Sequence, residues 1–548
     1  MQGLPLVRDG ITLLSEHDPV RRGMRIADAV TVRSRTLFFC PSPLLGYGLD
    51  RLLERIEREA PDSAILCIEA EPELYNLTLK NIDGALLANN KLRITNIADT
   101  AGLYDFIREN WGARAFRRID TVKFTGGWQL FPGLYSSLAD ALRREIATDW
   151  SNALTLAKLG RLYIKNAVQN LSLMKDFISI NALSFGQEPV LVLGAGPSLD
   201  ETLDALDKHF SEDYRHPEKR TFRIICVDTC ASALKIRKII PDLVVILESQ
   251  HWNLRDFIGC KDWNVPAAAD LSALPQSVKM LGSKGYLFFT PWTQLKIFER
   301  LKNAGLLPAV IPPLGSVGLS AVEIARRVSG GKIFCAGLDF SFSVDKYHAR
   351  STPGHYAKMN TQNRLLGFFN SSALDETSFA AVSKAGGAVR SSPIMRNYRG
   401  IFEQEFGGER RLFDITGSGL PLGIKTLEME EVLPVLETGL PVQPFYREQP
   451  SESPEKIKSF IYAEKNLLTE LKNILTGETA VGQERLGALI EECDYLWAHF
   501  PDYSGGDRRP NSEELAKGGE KALSFLKRVR AEIDPMLKLF ERAIVETN

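Results

Sequence analysis

A glycine-rich segment directly follows an apolar stretch and directly precedes a helical pattern. It consists of Gly194, Ala195, Gly196, Pro197, Ser198 and Leu199. Glycine lets a ligand approach the backbone closely, and the free amides at the start of a helix attract phosphate. The segment is not the dinucleotide fingerprint, which needs a glycine where Leu199 stands, and it lacks the Gly-Lys pair of a P-loop. It therefore predicts nucleotide-phosphate binding, with an ordinary glycine-rich turn as the alternative.

Acidic residues end three further apolar stretches, and they are Asp228, Glu248 and Asp339. Because the carboxyl ends of neighbouring parallel strands face the same crevice, we expect these carboxylates along one rim. Asp228 could accept hydrogen bonds from ribose hydroxyls there. It could also cap the helix that is expected to begin near Thr229, and the two roles are compatible.

A second glycine-bearing turn precedes another helical pattern and offers further backbone amides. It contains Gly315, Ser316, Val317 and Gly318. Two histidines, His348 and His355, follow in a polar loop just beyond the expected rim of the sheet. A histidine in that position can act as a general base, although a merely solvated loop histidine looks the same in a sequence.

Alternating strands and helices must position these residues. Apolar runs near residues 36–40, 64–68, 92–97 and 119–124 are separated by helical patterns. A second series begins at residues 189–193 and continues to residues 333–336. Such alternation predicts parallel sheets whose two faces are covered by helices, so the fold class is α/β.

The chain is expected to divide into three domains, at residues 1–150, 151–435 (core 166–348) and 436–548. Five prolines between Leu433 and Pro454 predict a linker. Beyond them Ser453 can cap a helix that has Pro454 at its first position, and apolar stripes at helical spacing follow. This pattern predicts an all-helical C-terminal domain that serves packing or partner docking rather than chemistry.

Composition excludes several classes of protein. With 44% hydrophobic and 25% charged residues, the chain is not disordered throughout. Its 67 Lys and Arg against 68 Asp and Glu give no overall field for holding nucleic acid. No apolar run is long enough to span a membrane, and the first 20 residues do not resemble a signal peptide. Seven scattered cysteines without zinc-like spacing predict reduced thiols, no metal site and a cytoplasmic location.

The ordered set of motifs resembles the motility-associated factor glycosyltransferase family of flagellated bacteria. The segments that carry the resemblance are the turn at 194–199, Asp228, the run 240–243, the helix start at 315–325 and the strand end at 337–340. The same blocks are similar to those of bacterial CMP-sialic-acid sialyltransferases. The resemblance implies a central Rossmann-like, sialyltransferase-like domain and an N-terminal Rossmann-like domain.

It also implies a function for the whole chain. Such a protein would be a flagellin O-glycosyltransferase needed for flagellum assembly and motility. It would transfer a nonulosonic acid, a sugar like sialic acid, from a CMP-activated donor to serine or threonine hydroxyls, with inversion at the anomeric carbon. Its partners would be flagellin and the CMP-activated sugar. The resemblance implies no metal or other cofactor beyond that donor.

Residue roles carried over from the resemblance follow the same motifs. The 194–199 turn would hold the CMP phosphate, Asp228 would stand near the ribose or the base, and the 315–318 turn would line the donor site. Glu248 stands where relatives often have aspartate at the same rim. Asp339 would shape the floor of the site, and His348 would deprotonate the acceptor hydroxyl, with His355 as its rival.

Two other functions stay open on the sequence. Archaeal-type 6-hydroxymethylpterin diphosphokinases have a similar Gly-Pro-Ser-Leu turn and would use ATP with magnesium, which Asp228, Glu248 and Asp339 could bind. The long flanking regions are more than a small pterin substrate needs. The second alternative is a non-enzymatic flagellin-binding chaperone or scaffold that retains a degenerate nucleotide site.

Overall fold

The chain forms two compact units in a computed structural model. The model describes residues 7–8, 10–14, 17–112, 114–282, 285–343, 346–365, 367, 377–439, 441–442, 452–478, 483–504 and 509–547. The first unit comprises residues 1–158 and 498–509, and the second comprises residues 159–497 and 510–548. The three-domain boundaries drawn from the sequence stay a prediction.

The first unit is built on a four-stranded parallel sheet. Its elements up to the long helix that continues into the second unit are β1 (Val7–Arg8), β2 (Ile11–Thr12), α1 (Pro19–Ala29), β3 (Thr36–Pro41), α2 (Leu49–Glu59), β4 (Ala64–Ile68), α3 (Pro72–Asn81), α4 (Gly84–Ala88), β5 (Leu92–Thr95), α5 (Thr100–Trp111), β6 (Arg118–Thr121) and α6 (Pro132–Asn170). The strand order is β5-β4-β3-β6. Alternate residues of β3 enter different cores, Leu37 and Phe39 on one face and Phe38 and Cys40 on the other. Burial on both faces explains why this strand is apolar throughout.

The second unit contains a ten-stranded sheet in which every strand pair is parallel. Its elements up to the sheet's last strand are β7 (Phe177–Ser179), β8 (Val190–Leu193), α7 (Leu199–His209), β9 (Arg223–Val227), α8 (Ala231–Ile236), β10 (Leu243–Ile246), β11 (Ala267–Asp270), α9 (Pro275–Met280), β12 (Gly285–Phe289), α10 (Lys296–Asn303), β13 (Ala309–Val310), α11 (Val317–Val328), β14 (Ile333–Ala336), α12 (Pro353–Asn360), β15 (Phe379–Val382), β16 (Ala388–Ser391), α13 (Pro393–Phe406), β17 (Leu412–Ile415) and β18 (Lys425–Leu427). Strands β15 and β16 form a separate antiparallel hairpin.

The strand order places a topological switch point inside this sheet. The order is β13-β12-β11-β10-β9-β8-β14-β17-β18, with β7 paired to β12. From β8 the chain winds outward through β13 on one side, and it then returns to lay β14 on the other side. Ligands of open α/β sheets bind where the winding direction reverses, at the carboxyl ends of the strands. The residues after β8 and β14 therefore border the expected ligand crevice.

Helices dominate the rest of the chain. They are α14 (Met429–Glu437), α15 (Pro454–Thr476), α16 (Gln483–Glu492), α17 (Pro501–Ser504), α18 (Ser512–Lys517) and α19 (Glu520–Thr547). The Ser453 hydroxyl accepts a hydrogen bond from the Lys456 amide, and Pro454 stands at the first position of α15, as the sequence predicts. The α/β fold class with C-terminal helices is confirmed. No helix in the described part of the chain is both long and apolar enough to cross a bilayer.

Some sequence expectations about elements are wrong. The helices expected from Leu134 and over residues 153–180 form one helix, α6, and its expected end contains strand β7 instead. The linker expected from Leu433 begins later, because α14 extends to Glu437 with Pro434 inside it. Residues 443–451 of that linker lie outside the described residues.

All seven cysteines are buried and none is in a disulfide.

Candidate functional site

Three glycine-bearing segments meet at the switch point of the large sheet. The register aligns Leu193 of β8 with Ala336 of β14, so the turns that follow these strands lie side by side. A Cβ on Gly194 would lie 2.4 Å from the Gly337 carbonyl oxygen, and a Cβ on Gly318 would lie 2.7 Å from Leu338 Cδ2. A Cβ at Gly194 has no room because it meets a backbone oxygen, whereas the atom near Gly318 is the end of a flexible side chain. The structure thus brings the predicted turns at 194–199 and 315–318 to the same strand end.

The first turn is closed by hydrogen bonds to protein groups. The Gly196 amide donates to the Gly337 carbonyl oxygen at 2.8 Å. The Ser198 amide donates to Asp339 Oδ2 at 2.7 Å, and the Ser198 hydroxyl donates to Asp339 Oδ1 at 2.5 Å. Ser198 and Asp339 are both buried. The side chain that accepts hydrogen bonds at the start of α7 is therefore that of Asp339, placed where the sequence predicts a phosphate.

Asp339 lies in a closed environment. Burial raises the pKa of its carboxyl, while the hydrogen bonds from Ser198 and the charges of Lys384 and Lys346 act in the opposite direction. Gly419 is packed so closely that a Cβ there would lie 2.7 Å from Asp339 Oδ1. The geometry fits the predicted role of shaping the floor of the site, because both carboxylate oxygens hold the Ser198 end of the turn.

The start of α11 presents its backbone differently. Gly315 is exposed at φ +73°, and Ser316 and Val317 are partly exposed. The Ser316 side chain makes no capping hydrogen bond to this helix. Amides in the first turn of a helix have no partner within the helix and carry the positive end of its dipole. This end of the crevice can therefore accept a phosphate.

Both candidate histidines belong to the segment that covers the first turn. The Ala349 amide donates to the Ala195 carbonyl oxygen at 3.0 Å, and the Arg350 amide donates to Asp200 Oδ2 at 3.0 Å. Burial lowers the pKa of the His348 imidazole, against a hydrogen bond to the Ala195 backbone that raises it. A Cβ on Gly354 would lie 2.8 Å from the His348 ring, so this ring is tightly packed.

His355 lies at the start of α12, where its amide donates to the capping hydroxyl of Thr352. Burial lowers its pKa, and the charge of Asp200 acts against that shift. Lys346 pairs with the same Asp200 at 2.5 Å. The structure therefore keeps both histidines beside the first turn, and the choice of base stays a prediction.

Asp228 lies at the carboxyl end of β9 and is buried. Its Oδ1 accepts a hydrogen bond from the Thr229 amide at 2.8 Å, and its Oδ2 accepts one from the Asn253 side chain at 2.8 Å. Burial, followed by the charge of Asp256, raises the pKa of Asp228 to about 7. Burial also raises the pKa of Asp256, to about 6. Asn253 and Asp256 are site residues that sequence reasoning missed, since only the fold brings their loop beside β9.

Glu248 lies at the next strand end and forms a cluster with two tyrosines. Its Oε1 accepts a hydrogen bond from the Gln250 amide at 2.8 Å. Burial and then the charge of Glu248 raise the pKa of Tyr163 to about 12 and also raise that of Tyr398. A Cβ on Gly315 would lie 3.1 Å from the Tyr398 ring. Glu248, Tyr398 and the start of α11 thus border one side of the crevice, and neither tyrosine was predicted to have a role.

The carboxylates that magnesium binding would require are engaged separately. Asp228 binds Thr229 and Asn253, Glu248 accepts from a backbone amide, and Asp339 holds Ser198. Within the described ranges, no group of three or more His, Cys, Asp or Glu side chains is arranged to hold a metal ion.

Comparison with known proteins places this geometry in context. Residues 162–345 match the family model described as 6-hydroxymethylpterin diphosphokinase MptE-like. An uncharacterized protein of Treponema pallidum (strain Nichols) is 29% identical over 565 aligned positions, which cover 98% of this chain and 94% of that protein. The residues that match the family model include both glycine-bearing turns, Asp228, Glu248 and Asp339.

A solved structure covers the whole chain. The MAf glycosyltransferase from Magnetospirillum magneticum AMB-1 superposes with a TM-score of 0.51 at 14% identity, over 100% of this chain and 85% of that one. This likeness is one of fold. Together with the family-model match, it confirms the resemblance to the motility-associated factor glycosyltransferase family.

Proposed function

We propose that this protein is a flagellin O-glycosyltransferase that transfers a nonulosonic acid from a CMP-activated donor to serine or threonine hydroxyls. The fold shared with a MAf glycosyltransferase supports a transferase of sugars. The observation that carries the proposal is the convergence of the 194–199 and 315–318 turns at the β8/β14 switch point. That crevice is where an open α/β sheet binds a nucleotide.

The donor phosphate is proposed to bind at the start of α11. The Ser198 amide and hydroxyl already donate to Asp339, whereas the first turn of α11 has partly exposed backbone and no side-chain cap. A helix N-terminus stabilises the negative charge that develops on the departing phosphate. Asp339 then acts as a positioning residue, which keeps the 194–199 turn packed below the donor.

The acceptor hydroxyl needs a base, and His348 is proposed for that role. Its lowered pKa keeps the imidazole neutral near pH 7, so that it can accept a proton. The hydroxyl oxygen attacks the anomeric carbon, the bond from that carbon to the phosphate oxygen breaks, and CMP leaves with the electron pair. The hydroxyl proton passes to His348, and the configuration at the anomeric carbon inverts.

Intact-mass measurement of flagellin tests this function. Flagellin is co-expressed with this protein and a nonulosonic-acid pathway, and its mass should rise by whole multiples of the sugar residue. His348→Gln should abolish the increase, whereas His216→Gln, at an exposed histidine of the same unit, should preserve it. Flagellin that keeps its unmodified mass with the wild-type protein would contradict the proposal. In a strain that lacks this protein, loss of filaments without any change in flagellin mass would favour a scaffold.

A kinase is the second candidate, because the matching family model is described as diphosphokinase-like. Such an enzyme would need magnesium bridging the phosphates of ATP. The separate engagement of Asp228, Glu248 and Asp339 favours the glycosyltransferase. Titration of CMP and of ATP, each with and without magnesium, separates the two candidates. Magnesium-independent CMP binding is expected, and magnesium-dependent ATP binding without CMP binding would favour the kinase.

A further inference from the structure

A cavity of about 550 Å³ lies in the second unit beside the loop that follows β10. Its walls come from the end of α6, from that loop, from the start of α9 and from α19. The volume is within the range of small-molecule sites. None of the residues predicted from the sequence for the nucleotide crevice lines it. The cavity adjoins that crevice through Gln250, which lines the cavity and whose amide donates to Glu248.

The charged side chains at this cavity are all basic. Lys165 and Arg542 line it, and no aspartate or glutamate does. Within the described part of the chain, neither cation has an ion-pair partner. By contrast, Arg161, which lies one turn before Lys165 on α6, forms an ion pair with Glu532 at 2.9 Å. Two unneutralised cations facing one cavity favour an anionic ligand.

The remaining polar walls suit hydroxyl groups. Gln169, Gln250 and Gln276 line the cavity, and each side-chain amide offers both donors and an acceptor. Trp252 is an exposed lining residue and presents an indole edge or face to a ring. Arg255 lies 5.9 Å from the Trp252 ring centroid and adds a further positive charge nearby.

The cavity is held open by two buried asparagines of α6. Asn166 Nδ2 donates to the carbonyl oxygens of Ser249 and Ser272, both at 3.0 Å. Asn170 Nδ2 donates to those of Leu271 and Ala273 in the same way. These bonds tie the loops after β10 and β11 to the helix, so the walls are preformed before a ligand arrives.

We propose that this cavity is a binding site for an anionic carbohydrate, whose carboxylate contacts Lys165 and Arg542 and whose hydroxyls contact the glutamine amides. Trp252 would pack against the sugar ring. Its two cations, Lys165 and Arg542, are not among the residues of the nucleotide crevice, and the inference does not depend on the proposed function.

Calorimetric titration of the full chain with N-acetylneuraminic acid tests the proposal. The sugar acid should bind, and neutral N-acetylmannosamine should bind at least ~10-fold more weakly because it lacks the carboxylate. The variant Lys165→Gln/Arg542→Gln should weaken sugar-acid binding by a similar factor. The matched control Arg161→Gln/Lys538→Gln removes two cations from the same two helices outside the cavity, and it should leave affinity unchanged.

Several results would overturn the proposal. They are absence of sugar-acid binding, equal binding of the neutral sugar, equal loss in both double variants, and competition by CMP, which would place the sugar in the crevice. Binding of an acidic peptide without binding of the sugar acid would also overturn it and would indicate a peptide-docking site. CMP titration of each variant reports on the crevice separately, so failure of one site is distinguishable from failure of the other. Urea midpoints verify that the variants are folded.

Discussion

Ser198 and Asp339 determine what the glycine-rich turn can do. Both Asp339 oxygens accept hydrogen bonds from Ser198, and the pair is buried. A helix start that already holds a carboxylate has less positive potential left for a phosphate. Under the proposed function, the turn positions the strand ends and the less enclosed start of α11 binds the donor phosphate.

Replacing each candidate base separately should distinguish the two histidines. His348→Gln should lower the transfer rate by about 10²–10⁴-fold, because general-base catalysis contributes that much. His355→Gln should lower it less than about tenfold, since it leaves the base in place. Steady-state transfer to flagellin with both variants measures this difference, and the reverse order of effects would assign the base to His355.

The pH profile offers an independent readout of the same assignment. The base must be neutral, and burial lowers the pKa of His348 from its ordinary value of 6.5. Activity should therefore rise with pH and reach its plateau below the pH at which an ordinary histidine would be neutral. A profile whose acidic limb persists unchanged in His348→Gln would contradict the assignment.

Asp228 should make stability depend on pH. Its pKa is about 7 in the folded protein and near 3.8 when unfolded, so between these values only the folded state holds the proton. Stability contributed by this group is present at low pH and falls as pH rises toward 7, by at most about 1.4 kcal/mol per pH unit. Asp228→Asn should remove that slope. Urea unfolding of both proteins at pH 5 and pH 8 checks it, and parallel pH dependences would contradict the expectation.

At the scale of elements, the close contact between the turns after β8 and β14 is the critical feature. A Cβ on Gly196 would lie 2.5 Å from Asp339 Oδ2. Gly196→Ala should therefore destabilise the protein by about 1–3 kcal/mol through overpacking and should weaken CMP binding. The control Gly400→Ala lies in α13 with nothing within 4 Å of the added Cβ. It should be neutral or slightly stabilising. Equal stability of both variants would contradict the close packing.

Local signals in the sequence predict much of the region where the turns after β8 and β14 meet. The apolar run 189–193 followed by glycine and proline predicts β8 and its turn, and both are present. The pairing of Ser198 with Asp339 is not predictable in the same way, because the two are 141 residues apart and meet only through the register of β8 with β14. The sequence predicts that Asp339 stands at a strand end. It does not predict which amide donates a hydrogen bond to the Asp339 carboxylate.

Other differences between the predicted and the observed helices and strands also have physical causes. No helix-stop signal separates the apolar pattern after Leu134 from the one after residue 153, so one helix forms, and α6 extends from Pro132 to Asn170. Pro434 is the sixth of the nine residues of α14, and the helix continues past it to Glu437 although proline cannot donate the usual intrahelical hydrogen bond there. Strand β7 has three residues and pairs only at its register with β12, which leaves too short a pattern to recognise.

At the scale of the whole molecule, the C-terminal helices other than α17 belong to the same compact unit as the large sheet. The Arg300 guanidinium of α10 binds both Glu464 oxygens of α15, at 2.5 and 2.8 Å, and Glu464 is 1% exposed. Glu464→Gln leaves a partly buried arginine without its counter-charge. It should cost about 3–5 kcal/mol, as for other broken buried pairs.

A matched pair on the same helix provides the control. Glu470 accepts two hydrogen bonds from Arg485 in the same bidentate geometry, but both side chains are exposed. Glu470→Gln should leave the urea midpoint nearly unchanged, since exposed ion pairs contribute little. Equal shifts for the two variants would show that the α10–α15 contact does not hold the helices to the unit.

A crystal structure of the full chain with CMP is the most direct test of the account. CMP density should lie in the crevice at the carboxyl ends of β8 and β14, with the phosphate within hydrogen-bond distance of the Val317 and Gly318 amides. Ser198 should still donate to Asp339. CMP bound elsewhere, or a crevice that stays filled by side chains at saturating CMP, would contradict the assignment of this site and the transfer chemistry built on it.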